Sequence, residues 1–127
     1  MAIRVELNLR LPNSPGALAG VCRLLGDERV NIVALGLESG GQLRLVVDNH
    51  LHAASVLRER HYQVSERDVL LVPVANGPGG LAPVLTLATQ AGVNVEYAYV
   101  SSAEGNATAA VVLGVDNAQR ASAAAGL

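Results

Sequence analysis

The chain has 127 residues, half of them hydrophobic, with 9 basic and 11 acidic side chains and a formal net charge of −2. That length suits one ordinary domain or two small ones and allows a real core. The charge balance gives no electrostatic footprint for nucleic acid or an anionic membrane, three tyrosines without Trp or Phe leave little to stack on bases, and no apolar run is long enough to cross a bilayer.

Ile3 to Leu11 alternates perfectly, with Ile3, Val5, Leu7, Leu9 and Leu11 on one face and Arg4, Glu6, Asn8 and Arg10 on the other. This predicts a strand buried on one side. Pro12 breaks it. Ser14 before Pro15 then predicts an N-cap followed by Pro at the first helical position, opening a helix to about Asp27 with Leu18, Val21, Cys22, Leu24 and Leu25 on its apolar face. Val30 to Glu38 is apolar on both faces, and Gly40-Gly41 turns the chain into Gln42 to Asp48, a hairpin. Leu51 to Arg60 predicts a second helix, with Leu51, Ala54 and Leu57 inward, and Tyr62 to Glu66 a short closing strand. The β-α-β-β-α-β order is the ferredoxin-like split unit.

Ser65-Glu66-Arg67-Asp68 predicts a turn, after which the order starts again. A strand is expected at Val69 to Ala75, a helix from Pro78 to about Ala91, strands at Val93 to Ser102 and Ala107 to Asp116 around a turn at Glu104-Gly105-Asn106, and a short helix from Asn117 to Ala125. The last strand is missing. That predicts an unpaired side on the Val69 to Ala75 strand, where Pro73, lacking an N–H, would suit an edge.

The repetition extends to the residues themselves. NSPGALAGVCRLLGDERVNIVAL at 13–35 returns 63 positions later as NGPGGLAPVLTLATQAGVNVEYA, matching at Asn13/Asn76, Pro15/Pro78, Gly16/Gly79, Leu18/Leu81, Ala19/Ala82, Val21/Val84, Leu24/Leu87, Val30/Val93 and Asn31/Asn94. A constant offset argues for duplication of a structural unit, so two domains are expected, 1–67 and 68–127, the second C-terminally truncated. Units this small are marginal alone. Eight of the nine arginines precede residue 68, and the charge-poor second unit with its run Val69-Leu70-Leu71-Val72 points to association, as a dimer. One cysteine and no signal-peptide pattern predict a cytoplasmic setting.

Two places in the repeat have the chemistry of a binding site. In the turns Asn13-Ser14-Pro15-Gly16 and Asn76-Gly77-Pro78-Gly79-Gly80, glycines admit close backbone approach, and the amides of the first helical turn form an anion site, although such turns also simply start helices. Asn31 and Asn94 open the following strands, where an Asn also commonly bonds its own backbone. Within one unit Asn13 and Asn31 stand a helix length apart, about 20 Å, so a shared ligand requires two units paired through their second strands, Asn31 beside the Asn76 loop and Asn94 beside Asn13. The glycine-rich second loop is expected to be the tighter site. Asp48, His50 and His52 resemble a metal set only loosely and suit a solvated helix start, Cys22 suits a buried thiol, and Glu96, Tyr97 and Tyr99 either line the second pocket or alternate across a strand. No spacing suggests a nucleophile or phosphate loop.

The Asn-x-Pro-Gly-x-Leu turns, the apolar helices and the Val-Asn-Ile strand resemble the ACT domain, and the whole chain resembles a tandem ACT protein. The resemblance implies an α+β fold of two ferredoxin-like units, the second lacking its last strand. It implies a non-catalytic regulatory module, without cofactor or metal, binding a small amino acid or related carboxylate between paired units. The implied ligand-binding residues are Asn13, Pro15, Gly16, Ala17, Leu18, Asn31 and Ile32, with Asn76, Gly79, Gly80, Leu81, Asn94 and Val95. Expected partners are an amino acid, a second copy of the chain and an enzyme. The competing expectation is an interaction module that regulates an enzyme and holds no ligand.

Overall fold

The computed structural model describes residues 2–124. Its elements are β1 (Ala2–Arg10), α1 (Ala17–Asp27), β2 (Ile32–Leu37), β3 (Gln42–Val47), α2 (His50–Glu59), β4 (Ser65–Ala75), α3 (Ala82–Gln90), β5 (Val95–Ser101), β6 (Thr108–Val115) and α4 (Ala118–Ala124). They form two compact units. One is Val5–Arg67; the other comprises residues 68–124 together with residues 2–4 at the start of β1.

In the first unit the strands run in the order β2-β3-β1, closed by the start of β4, the antiparallel arrangement of a βαββαβ fold. β1 pairs with β3 (Leu7 across from Leu45, Leu9 across from Leu43), and β3 pairs with β2 (Leu35 across from Leu45). Leu7, Leu9 and Leu11 join Leu43, Leu45 and Val47 under Val21 and Leu25 of α1 and Ala53, Ala54 and Leu57 of α2. All are nearly or wholly buried, which places the helices and the core on one face of the strands.

The alternate face of β1 departs from the sequence expectation. Glu6, expected outward, is fully buried. It accepts a hydrogen bond from Asn8 Nδ2 at 3.0 Å and lies 3.8 Å from the Arg44 guanidinium. Arg44 in turn donates to Asn8 Oδ1 at 2.9 Å and to Glu38 at 3.1 Å. An acid on a buried face requires such partners, since an unpaired buried charge is very costly. The inward face of α2 is also shifted: Ala53, Ala54, Val56 and Leu57 are buried, and Leu51 is 70% exposed. Cys22 is half-buried, not enclosed as expected.

In the second unit β4 pairs with β6 (Leu71 across from Val112) and β6 with β5 (Tyr99 across from Val112). Leu70, Val72, Val111, Leu113 and Val115 pack against Val84 of α3 and Ala118 and Ala121 of α4. Tyr97 and Tyr99 stack side by side, centroids 6.4 Å apart, and Tyr97 covers Gly114, where a Cβ would collide with its ring.

Two expectations for this region need correction. Ser65 to Asp68 is no turn: β4 is one strand from Ser65 to Ala75, and Tyr62 to Val64 precede it as turn and irregular chain. The tetrapeptide has no Gly or Pro to bend it, Glu66 lies 3.9 Å from Arg58, and Asp68 accepts from Gln119 at 2.8 Å, so its polar side chains are served in an extended chain. Nor is one flank of β4 vacant, because within this unit it stands between β6 and the start of β1. Val69, Leu70 and Val72 are buried. They therefore cannot serve as the exposed surface from which association was expected.

Helix starts differ as well. α1 begins at Ala17, not at Pro15: Gly16 adopts a left-handed φ of 84°, which a continuous right-handed helix excludes, and the Ser14 side chain makes no cap. α3 begins at Ala82, since Gly79 is likewise left-handed at φ 75°. The last helix has Asn117 as its cap, accepting from Arg120 N–H at 2.9 Å, and its expected end at Ala125 lies outside the described residues.

The hairpin between β2 and β3 forms as expected, with Glu38 N–H donating to Gln42 at 3.0 Å across Ser39-Gly40-Gly41. Gly41 has φ 88°, and a Cβ there would run into the Leu11 carbonyl oxygen, which belongs to backbone and cannot swing aside. Gly41→Ala is therefore expected to destabilise the protein by about 2 kcal/mol or more, from left-handed strain plus the displaced chain. Equilibrium urea unfolding measures it. An unchanged midpoint would mean that this hairpin relaxes freely.

Candidate functional site

The repeated loop builds a cavity in each unit. In the first, Leu11 to Ser14 and Gly16 to Ala19 face Leu37 to Gly41 across a cavity of about 420 Å³. That volume lies in the range of small-molecule sites, roughly 300–1,000 Å³. Asn13, Gly16, Ala17 and Leu18 line it, and the Leu37 to Gly41 segment, which the sequence reading did not single out, supplies the opposite wall. Pro15 is exposed at the loop and is not part of the lining. The amides of Leu18 and Ala19, in the first turn of α1, have no intrahelical acceptor and can serve an anion.

In the second unit the corresponding cavity, about 280 Å³, is lined by Asn76, Gly79, Gly80 and Leu81 together with Val74, Val100 and Ala109. An adjoining apolar cavity of about 430 Å³ lies between the end of β4 and α3, between Val72 and Val74 on one side and Pro83 and Leu87 on the other. The loop is not as open as its glycines suggest. A Cβ at Gly80 would run into the Ala75 carbonyl oxygen, so this glycine serves the chain's own packing. Pro83 occupies the first turn of α3 and removes one donor. Asn76 donates through Nδ2 to the carbonyls of Ala103 (3.1 Å) and Asn106 (2.8 Å), holding the β5–β6 turn.

Asn31 and Asn94 lie outside these cavities, as do Ile32 and Val95. Both asparagines are exposed, and both are held by the same device. Asn31 N–H donates to Asp48 Oδ1 at 3.0 Å while Asp48 N–H donates to the Asn31 carbonyl at 3.1 Å. Asn94 and Asp116 repeat this at 3.1 and 3.2 Å. Immediately after each Asn the strand pairing shifts register, between Ile32 and Ala34 and between Val95 and Tyr97. Such bulges re-aim side chains at strand starts.

The clamp was legible but overlooked. Val47-Asp48-Asn49 returns as Val115-Asp116-Asn117, offset by 68 rather than 63 because the second hairpin is longer. In each, Asp holds the neighbouring strand start and Asn caps the next helix, Asn49 accepting from His52 N–H at 3.1 Å. Among the described residues no group of three or more His, Cys, Asp or Glu gathers to hold a metal ion. Glu96, Tyr97 and Tyr99 do not line the cavities described above.

The two-copy βαββαβ arrangement is matched by the model of the ACT domain pair over residues 1–125. The chain belongs to this family. Among solved structures, a crystal structure of a Bacteroides thetaiotaomicron protein matches at 30% identity and TM-score 0.87, covering 98% of this chain and 87% of that one. The regulatory subunit of aspartate kinase from Thermus flavus matches at 18% identity and TM-score 0.66 (98% and 94% covered), and that from Thermus thermophilus, ligand free, at 18% and 0.71 (98% and 92%). At that identity the two Thermus structures share the fold. A comparison with curated proteins returned no match. No helix among the described residues of this ACT pair is long and apolar enough to cross a membrane.

Proposed function

We propose that this ACT pair is a non-catalytic, cytoplasmic regulatory module that binds a small amino acid or related carboxylate and works as a homodimer. The observation that carries the reading is the cavity at the start of the first helix in both copies of the repeat, each entered by a left-handed glycine. A free amino acid offers a carboxylate, which suits first-turn amides, and an ammonium, which an Asn carbonyl oxygen accepts.

The second strand of each unit has a neighbour on one side only, and both edges carry apolar side chains in water: Leu35 (36% exposed) and Leu37 (45%) on β2, Val100 (46%) on β5. Edges of that kind are templates for pairing. Antiparallel pairing of such edges between two copies would bring Asn31 of one copy to the Asn76 loop of the other, and Asn94 to Asn13. Pro15, Gly16, Ala17, Leu18 and Ile32, with Gly79, Gly80, Leu81 and Val95, would complete the two walls. The protein served would be an enzyme, as the name of the aspartate kinase regulatory subunits states for those proteins.

A thermal-shift screen against the twenty amino acids, run beside light scattering, tests this reading. A ligand at about 100 times its Kd stabilises the folded state by about 2.7 kcal/mol, a shift of several degrees. A dimer at micromolar concentration and a shift from a subset of amino acids are expected. The second reading, a module that holds an enzyme and no ligand, draws on the exposed leucines around α3, Leu81, Leu85 and Leu87, each about 40% exposed. No shift with any amino acid would favour it.

A further inference from the structure

We propose that the two loop cavities take chemically different ligands, and that Glu38 makes the first a site for molecules carrying a cation as well as a carboxylate, the basic amino acids being the simplest. This rests on the amino-acid-binding reading above and adds which class each site selects. Glu38 is the one ionisable side chain lining the first cavity. Its counterpart in the second unit is lined by apolar residues, glycines and Asn76, with no ionisable side chain at all.

The carboxylate of Glu38 is held rather than loose. Its backbone is fixed at both ends of the turn, N–H to Gln42 at 3.0 Å and carbonyl from Gly41 at 3.1 Å, and its Oε1 accepts from Arg44 Nε at 3.1 Å. Arg44 does not cancel it fully, because the same guanidinium also lies 3.8 Å from the buried Glu6, so one cation faces two carboxylates. Arg10, the other cation near this turn, is spent on the Gly40 carbonyl at 2.6 Å and does not line the cavity. The wall opposite Glu38 is the first turn of α1, which attracts an anion. A ligand with separated carboxylate and cation therefore meets complementary charge at both walls, and one with an uncharged side chain leaves Glu38 facing solvent. In the second cavity Leu81, Val100 and Ala109 favour an uncharged side chain.

The test is calorimetry on the full-length protein with L-arginine, L-lysine, L-glutamine and L-leucine, on the parent and on Glu38→Gln. The Glu38 side chain is 57% exposed, and Gln retains an acceptor for Arg44, so the variant keeps the fold. Expected is a parent that binds the basic amino acids at one site at least tenfold more tightly than glutamine, with that margin lost in Glu38→Gln. Leucine binding at the other site should be unaltered. A parent without preference for the basic amino acids overturns the inference, as does a preference that survives Glu38→Gln. Two indistinguishable sites would overturn it too. If none of the four binds, the amino-acid reading falls, and this inference with it.

Discussion

Replacing Arg44 by alanine is expected to lower stability by about 3 kcal/mol, because it removes the cation from beside a fully buried carboxylate. Glu6 would keep the Asn8 amide, which places the cost toward the lower end for a broken buried pair. Loss of the Glu38 contact adds little, since that partner is largely exposed. In thermal unfolding the change is about ten degrees or more for a chain of this size. The control is the pair Glu6→Met with Arg44→Met, which removes both charges and keeps apolar bulk. It should recover most of the loss, since what costs energy is the orphaned charge rather than the missing attraction. A single variant as stable as the parent, or a double variant as damaged as the single one, would contradict this account.

Asn31→Ala and Asn94→Ala are each expected to weaken amino-acid binding tenfold or more, about 1–3 kcal/mol for a removed polar partner. Both side chains are exposed, so neither substitution should move the melting temperature of the unliganded protein by more than about a degree or two. Asp48→Ala and Asp116→Ala act through these asparagines. Each removes the acceptor that fixes the Asn backbone N–H, at 3.0 and 3.1 Å, and should weaken binding at its own end while the Asn remains in place. Asp48→Asn keeps an acceptor and should restore most of the affinity. Binding by Asn31→Ala and Asn94→Ala equal to that of the parent would place the ligand elsewhere, in the loop cavities alone.

The duplicated unit was legible because its signals are local. The alternation of Leu7, Leu9 and Leu11, the helical spacing of Val21 and Leu25, and the glycines that turn the hairpin all act within a few residues of one another. The loop half of the site was legible for the same reason, since Gly16 and Gly79 are repeated and both adopt the conformation that glycine adopts most readily. The Val-Asp-Asn repeat was present in the sequence too, hidden by its different offset.

What only the tertiary structure decided depends on which residues meet across the strands. Polar alternation marked Glu6 as outward; its burial follows from Asn8 and Arg44 standing beside it on the same face. Four polar residues marked 65–68 as a turn; side chains of α2 and α4 satisfy Glu66 and Asp68 and leave one continuous strand. The wall opposite the helix start, Leu37 to Gly41, joins the site only when β1 and β3 pair. Local periodicity determines which way each side chain points relative to its own element, but the partner it finds there is set by chain far away in sequence.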